Sequence, residues 1–126
     1  MKLRLQFNSI RFRLKRSEVE QFAQTGRLEE EIFLGTGGDE IFRYVLESTG
    51  AVSTTRAILT PRAVIVHVPP EAVMRWASSD QIGIEGEQAV DDQKRLQILI
   101  EKDFACIDGT DEGNADTFPN PLAGKC

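Results

Sequence analysis

Apolar and polar side chains alternate with a period of two at the beginning of the chain. Apolar residues occupy every second position from Leu3 to Phe7 and again from Ile10 to Leu14, with polar or charged residues between them. A period of two places alternate side chains on opposite faces of a strand. Because the dipeptide Asn8-Ser9 separates the two runs, this segment predicts a hairpin with one buried face.

A short helix is predicted to follow the hairpin. Ser17 stands three residues before Glu20, which is the spacing of a capping box. Val19 and Phe22 are separated by a helical interval, and Gly26 lies where a left-handed residue commonly ends a helix. These residues predict one short amphipathic helix.

Two further strands are predicted at 28–34 and 40–48, joined by the glycine-rich loop 35–39. The loop lacks the Gly-Lys-Ser/Thr ending of a phosphate loop, so we interpret it as a hairpin connection. This completes a strand-strand-helix-strand-strand unit, and the same order follows in the second half. There the predicted strands are 57–60, 64–68, 82–86 and 96–102, with a helix opened by Pro69-Pro70.

A shift of 54 residues brings the two halves into register, and it places Phe22 on Trp76 and Leu28 on Ile82 without a gap. Two amphipathic segments of one type can also match through patterning alone, and that alternative stays open. The pattern favours an α+β fold made from a duplicated strand-strand-helix-strand-strand unit, with pseudo-repeats at about 3–48 and 57–102. Each half is too small for its own core, so we expect the halves and their two short helices to pack as a closed barrel or a two-sheet sandwich.

The bulk properties indicate one soluble domain. Of the 126 residues, 40% are hydrophobic and 28% are charged, which is ordinary for a globular protein. We predict a single domain over 1–126 with an irregular C-terminal tail at 104–126. No apolar run approaches the roughly 20 residues that cross a bilayer, and two cysteines suit a reducing compartment. The expected protein is cytoplasmic and does not bind membranes.

Charge is unevenly distributed along the chain. The net charge of -5 argues against a nucleic-acid partner, because neutralising phosphates needs a basic surface. Residues 1–16 are nevertheless basic, whereas 101–126 are rich in acids. We expect the acidic tail to fold back over the basic hairpin, with Phe118 as an apolar anchor.

The residues that could carry metal or thiol chemistry are few. His67 is the single histidine, which excludes a multi-histidine metal site, and the strand alternation predicts that it is partly exposed. Cys106, Asp108, Cys126 and His67 form the alternative metal-ligand set. No paired spacing supports this set, and Cys106 is better explained as a small buried hydrophobe. No cofactor is predicted.

A weak binding site is predicted at one end of the sheets. The sequence contains no recognisable catalytic set, so no residue is assigned a catalytic role. We expect the segment Ser79-Asp80-Gln81, the Asn8-Ser9 turn and the tail to meet at this end. The candidate binding residues are Asp80, Gln81, Asp103 and Cys106.

Three blocks of sequence carry a resemblance to a known family. The blocks are Lys2-Leu3-Arg4-Leu5 with Asn8-Ser9-Ile10-Arg11, Trp76-Ala77 with Ser79-Asp80-Gln81, and Glu101-Lys102-Asp103-Phe104-Ala105-Cys106 with Phe118-Pro119-Asn120-Pro121. In these blocks the chain resembles a family of short, uncharacterised bacterial proteins, a domain of unknown function. The resemblance implies a single cytoplasmic domain and carries no activity, cofactor or partner.

Three functional hypotheses follow from the sequence. The favoured one is a small cytoplasmic binding module for a small molecule or a protein partner. The alternative is a metal- or thiol-dependent enzyme centred on Cys106 and the C-terminal acidic residues, with the thiolate as ligand or nucleophile. The third is self-association into a homodimer through an exposed strand or the glycine loop.

Overall fold

The computed structural model describes residues 1–104 of the chain. Within these residues, eight strands and two helices follow one another in the order β-β-α-β-β-β-β-α-β-β. The first half comprises β1 (Lys2–Gln6), β2 (Ser9–Leu14), α1 (Arg16–Thr25), β3 (Arg27–Phe33) and β4 (Ile41–Ser48). The second half comprises β5 (Arg56–Thr60), β6 (Ala63–Val68), α2 (Pro70–Ala77), β7 (Gly83–Ala89) and β8 (Arg95–Lys102). Neither helix is long and apolar enough to cross a membrane.

The strands form two four-stranded sheets, and each sheet contains strands from both halves. The sheet orders are β1-β2-β8-β7 and β3-β4-β6-β5. In each sheet the central pair is parallel, β2 with β8 and β4 with β6, and the outer pairs are antiparallel hairpins. The α+β prediction with two sheets is confirmed. The closed-barrel alternative is wrong, because the strands of the described chain separate into two sheets.

The registers of corresponding strand pairs agree between the halves. Adding 54 to both residue numbers of a β1–β2 pair gives the residue numbers of a β5–β6 pair. For example, Leu3 lies opposite Phe12, and Ala57 lies opposite Val66. The same offset relates the parallel pair β2–β8 to the pair β6–β4. The two hairpins that open the halves therefore occupy corresponding places in the two sheets.

One predicted correspondence between the halves is wrong. Leu28 lies opposite Leu46 in the β3–β4 pair, and Ile84 lies opposite Ile100 in the β7–β8 pair. Ile84 is therefore the residue of β7 that corresponds to Leu28, at an offset of 56 rather than 54. Leu28 and Ile84 are both buried, whereas Ile82 is 59% exposed. Two extra residues therefore precede β7. The apolar pattern could not reveal them, because both Ile82 and Ile84 fit a strand with a period of two.

The core lies between the inward faces of the sheets and is closed by the helices. Phe12, Phe22 and Trp76 are fully buried in one hydrophobic cluster, and the indole N–H of Trp76 donates to the Ile82 carbonyl at 2.9 Å. α1 follows β2 and α2 follows β6, and the helices contact one another. Both helices therefore lie at one end of the molecule, the helix end. The four hairpin turns lie at the opposite end, the hairpin end.

The start of α1 differs from the prediction by two residues. The cap is Lys15, whose backbone N–H donates to the Glu18 carboxylate at 2.8 Å. The predicted capping box from Ser17 to Glu20 is therefore wrong, because the chain already becomes helical at Arg16. The predicted end is confirmed, since Gly26 adopts a left-handed φ of 76°.

The β1–β2 turn contains an unfavourable residue. The turn is Phe7-Asn8 rather than the predicted Asn8-Ser9, and φ is 49° at Phe7 and 56° at Asn8. Positive φ at both central residues is typical of the two-residue hairpin turns that match strand twist. Asparagine tolerates this conformation because its short polar side chain can hydrogen-bond locally, whereas phenylalanine has no such compensation for the crowding of its Cβ.

The outer strands β5 and β7 of the two sheets are joined by a side chain; this junction is called the β5/β7 seam. The Gln88 amide accepts a hydrogen bond from the Ala57 N–H at 2.9 Å and donates one to the Ala57 carbonyl at 3.2 Å. A Cβ at Gly86 would lie 2.9 Å from Thr55 Cβ, so only glycine allows this approach. Gln88 thus supplies to β5 the hydrogen bonds that a neighbouring strand would supply.

Replacing the strained turn residue is expected to stabilise the fold. Phe7→Asn should raise the free energy of unfolding by about 1 kcal/mol, because it relieves the left-handed penalty, and the ring it removes is 91% exposed. Urea denaturation measures the change. Phe7→Leu is the control, since it removes the ring without adding a polar side chain that can compensate for a positive φ; a similar gain in both variants would contradict the explanation.

Removing the Gln88 bridge is expected to destabilise the fold. Gln88→Ala leaves the N–H and carbonyl of Ala57 without these partners, at a cost of about 1–2 kcal/mol in the free energy of unfolding. Gln97→Ala is the matched control, because Gln97 is exposed on β8 and should change stability by less than about 0.5 kcal/mol. Equal effects of the two substitutions in urea denaturation would refute the bridging role.

Candidate functional site

A cavity of about 580 Å³ lies at the helix end, between α1, α2 and the end of β8. This volume falls within the range of sites that hold small ligands. Leu14, Val19, Ala77 and Phe104 provide its apolar lining. The first two are buried core residues, whereas Phe104 is exposed. The cavity therefore has an apolar floor to which two core residues contribute.

Charged side chains of both signs surround this floor. Arg16 and Glu20 come from the first turns of α1, Asp80 follows α2, and Lys102 and Asp103 come from the end of β8. The parallel pairing of β8 with β2 places the end of β8 beside the start of α1, since Lys102 lies opposite Leu14. Residues far apart in sequence thus meet around one cavity.

The two residues from β8 are held in place by defined contacts. Lys102 Nζ donates to the Ser79 carbonyl at 2.7 Å and lies 6.0 Å from the centre of the Trp76 ring. The Asp103 backbone N–H donates to the Leu14 carbonyl at 2.8 Å, and its carboxylate lies 3.1 Å from Lys2 Nζ. These contacts fix a cation and an anion at the mouth of the cavity.

The other three charged groups remain available for a ligand. Arg16, Glu20 and Asp80 are exposed, and they form no ion pair with other residues of the described chain. A ligand group of either sign can therefore approach them without first displacing such a partner. The cavity can accept a negative group near Arg16 and a positive group near Glu20 and Asp80.

The structure places the predicted binding residues as follows. Asp80 and Asp103 both line the cavity. Gln81 lies beside it, with its side-chain amide donating to the Gly83 carbonyl at 2.9 Å. Cys106 lies outside the described residues. The cavity also uses Arg16, Glu20 and Lys102, which the sequence did not identify because their proximity depends on the pairing of β2 with β8.

The predicted meeting of two turns at this end is wrong. Asn8 lies at the hairpin end, where its side-chain amide donates to the Arg95 carbonyl at 2.8 Å. Ser79 lies at the helix end, where its carbonyl accepts from Lys102. Arg95 and Lys102 are the first and last residues of β8. The full length of that strand therefore separates the Asn8 turn from the cavity.

The residues proposed for metal or anion chemistry do not form a site in the described chain. His67 lies on β6 with its Nε2 3.0 Å from Glu47 Oε1, and it does not line the cavity. Cys106, Asp108 and Cys126 lie outside the described residues. Within 1–104 no three His, Cys, Asp or Glu residues are grouped so as to hold a metal ion.

The glycine loop between β3 and β4 already binds an anion of its own chain. The Gly37 N–H donates to Glu40 Oε2 at 2.8 Å. A Cβ at Gly35 would lie 2.3 Å from the same carboxylate oxygen, so a side chain there would displace Glu40. The loop is therefore a hairpin connection closed by Glu40, in agreement with the prediction.

A polar cluster lies between β1 and β3 near the helix end. The Tyr44 hydroxyl donates to Glu30 at 2.7 Å, and it lies 3.2 Å from the Met1 carbonyl. The N-terminal ammonium contacts Glu18. Burial raises the pKa of the Glu18 carboxyl, but hydrogen bonds from the ammonium and from the Lys15 N–H outweigh burial and lower the pKa below its ordinary value. We therefore interpret the cluster as structural: it holds Met1 against Glu18 of α1 and Tyr44 of β4.

Titration of the single tyrosine is expected to report on this cluster. Burial, and then the hydrogen bond to Glu30 and its negative charge, raise the pKa of Tyr44 to about 12. The neutral phenol therefore stabilises the fold below its ordinary pKa of about 10, and this contribution is lost as the pH rises towards 12. Tyrosinate absorbance measures the midpoint. Glu30→Gln should lower it, and Glu29→Gln on the outer face should not; a midpoint near 10 in the folded wild-type protein would contradict the assignment.

Comparison with known proteins gives a family and no function. No curated protein and no solved structure matches the chain. One family model matches residues 1–122. The resemblance noted in the sequence is thereby confirmed, and the chain belongs to the family described as a family of unknown function, DUF7009.

Proposed function

We propose that the protein is a cytoplasmic, non-catalytic binding module whose ligand is a small molecule held in the helix-end cavity. The ligand combines a negative group, a positive group and an apolar body. One observation carries this proposal: a cavity of about 580 Å³ has an apolar floor and charged groups of both signs around it. The low cysteine content suits a cytoplasmic compartment.

The cavity residues determine the chemical class of the ligand. A carboxylate or phosphate would interact with Arg16 and with Lys102, whose ammonium is already oriented by the Ser79 carbonyl. An ammonium group would interact with Glu20 and Asp80. A ligand of one sign only would leave either the cations or the acids of the cavity without a partner, which weakens its binding.

We infer that the chain contains an internal duplication, so that residues of one half have corresponding residues in the other half. The offset of 54 also relates backbone hydrogen bonds at the strand ends. The Asp103 N–H donates to the Leu14 carbonyl, and the Thr49 N–H donates to the Val68 carbonyl. The counterpart of each cavity residue in the other half can therefore be named.

The charges of the cavity have no counterpart in the other half. Four charged residues correspond, at the offset of 54, to four uncharged ones. The corresponding pairs are Arg16 with Pro70, Glu20 with Met74, Lys102 with Ser48 and Asp103 with Thr49. The same unit therefore folds without charged residues at these positions. This asymmetry supports a ligand-binding role for the cavity rather than a structural one.

The described cavity residues do not form a nucleophile and base pair. Ser79 is the one hydroxyl group among them, and its Oγ donates to the Arg75 carbonyl at 2.6 Å. A serine nucleophile instead donates to an adjacent base. The competing hypothesis of a metal- or thiol-dependent enzyme rests on Cys106 and the C-terminal acids, which lie beyond the described chain.

Binding of L-leucyl-L-leucine tests the proposal, because this dipeptide carries both charges on an apolar body. We expect saturable binding, observed through the indole resonance of Trp76, the single tryptophan, against which Lys102 is placed. N-acetyl-L-leucyl-L-leucine lacks the ammonium, and L-leucyl-L-leucinamide lacks the carboxylate. Both should bind at least roughly 5-fold more weakly, which is about 1 kcal/mol for an exposed charge pair.

Two cavity substitutions and two matched controls localise the binding. Asp80→Asn and Arg16→Gln should each weaken binding of the dipeptide by roughly 5-fold. Arg62→Gln and Asp92→Asn make the same chemical changes at exposed positions of the hairpin end and should have no effect. Equal affinity for the dipeptide and both derivatives, or no saturable binding of any of them, would contradict the proposal.

A further inference from the structure

Inward-facing apolar side chains remain exposed at the hairpin end. Leu5 lies opposite the buried Ile10 and so shares its inward face, yet Leu5 is 62% exposed. Ile32 lies opposite Phe42 on the inward face of β3, and it too is exposed. These positions face the core side of their sheets, yet the other residues of 1–104 cover them only in part. The outer strands β1 and β3 therefore present an apolar surface towards the hairpin end.

The outer edge of β1 carries backbone groups that have no hydrogen-bond partner within residues 1–104. In a hairpin with a two-residue turn, the closing pair is hydrogen-bonded, and here that pair is Gln6 and Ser9. Because hydrogen-bonded pairs alternate along the ladder, Arg4 bonds to β2, whereas the N–H and carbonyl groups of Leu3 and Leu5 point away from β2. No hydrogen bond from another residue of 1–104 reaches these groups.

The corresponding edge on the other side of the molecule is closed. Ala57 occupies the position of Leu3, and both of its backbone groups are hydrogen-bonded by Gln88. In β3 the residue that corresponds to Gln88 is Ile32, at the offset of 56 found for β3 and β7. An isoleucine side chain cannot donate or accept hydrogen bonds. The β1 edge therefore lacks the bridge that protects the β5 edge.

The outer face beside this edge is basic. Arg4 is exposed and forms no ion pair with another described residue, and Lys2 pairs with Asp103. On β2, Arg11 and Arg13 share one carboxylate, that of Glu101. Cations therefore outnumber acids along β1 and β2. Two copies of β1 placed edge to edge would bring like charges together, which disfavours pairing with a second copy.

We propose that the free edge of β1 binds an extended peptide segment of a partner protein in which apolar residues alternate with acidic ones. The segment adds a strand to the sheet by hydrogen bonding to the backbone of Leu3 and Leu5. Its apolar residues face inward against Leu5 and Ile32, and its acidic residues face outward near Lys2 and Arg4. This surface is distinct from the helix-end cavity.

The turn that follows β1 extends this apolar surface. Phe7 directly follows the strand and is 91% exposed. Its φ of 49° is one that phenylalanine rarely adopts, so the residue serves neither core packing nor turn formation. A large ring next to Leu5 adds contact area for a strand bound at this edge.

Two synthetic peptides test the proposal with the full chain. The first is acetyl-Thr-Val-Glu-Val-Glu-Val-Thr-amide, and the second has lysine in place of both glutamates. Fluorescence anisotropy of labelled peptides should show at least roughly 10-fold tighter binding of the glutamate peptide at low ionic strength, with a smaller difference as salt rises. The amide protons of Leu3 and Leu5 should exchange rapidly in the free protein and slowly in the complex.

Two proline substitutions form a matched pair. Leu5→Pro removes an edge N–H and leaves the ladder with β2 intact, because proline is tolerated where the N–H faces away from the neighbouring strand. Leu59→Pro makes the same change at the corresponding position of β5. The first should abolish peptide binding, and the second should not affect it. Arg4→Glu should reverse the preference between the two peptides.

Several results would overturn the proposal. These are equal affinity for both peptides, no binding of either, or equal loss of binding in the two proline variants. Slow exchange of the Leu3 and Leu5 amides before peptide is added would show that the edge is already covered. Sedimentation of the free protein as a dimer that Leu5→Pro dissociates would show that a second copy occupies the edge instead.

Discussion

The parallel pairing of β2 with β8 and of β4 with β6 is the interaction on which the rest of the structure depends. All other strand pairs within residues 1–104 are hairpins between neighbours in sequence, and a single two-stranded hairpin is marginally stable in water. The parallel pairs join each hairpin of one half to a hairpin of the other. They bring Phe12 opposite Ile100 and Leu46 opposite Val66, all of them buried. Neither half therefore has a sheet of its own.

The same pairing gives the molecule two chemically different ends. Parallel strands in the centre of each sheet begin at one end and finish at the other, so the helices gather at the helix end and the turns at the hairpin end. At the helix end, the last residues of β8 bring Lys102 and Asp103 to the first turns of α1. At the hairpin end, neither α1 nor α2 covers the inward faces, and Leu5 and Ile32 remain exposed. The proposed cavity site at the helix end and the proposed peptide-binding edge at the hairpin end both depend on this topology.

The spacing of apolar residues predicted the strands and helices. An element with one buried face places its apolar residues at the period of a strand or of a helix, and that period is visible in the sequence. The alternation from Ile10 to Leu14 corresponds to β2, and Gly26 ends α1 as its conformational freedom suggests. Pattern could not reveal which hairpins pair in parallel, since alternation marks the buried face of a strand and not its neighbour; in the β2–β8 pair, Ser9 and Gln97 lie about ninety residues apart. The cavity depends on that pairing. For this reason Asp80 and Asp103 were recognised as polar candidates, whereas Arg16, Glu20 and Lys102 were not.

An ion pair connects the two surfaces, and its strength decides how far they influence each other. Lys2 lies at the start of β1, beside the proposed peptide edge, and contacts Asp103, which lines the cavity, at 3.1 Å. Lys2 is 69% exposed, so water screens the pair, and such pairs contribute about 0–1 kcal/mol. A peptide carboxylate that attracted Lys2 away from Asp103 could change affinity at the cavity by no more than roughly 5-fold. The two proposed surfaces are therefore expected to bind almost independently, and a substitution at one should leave the other available for measurement.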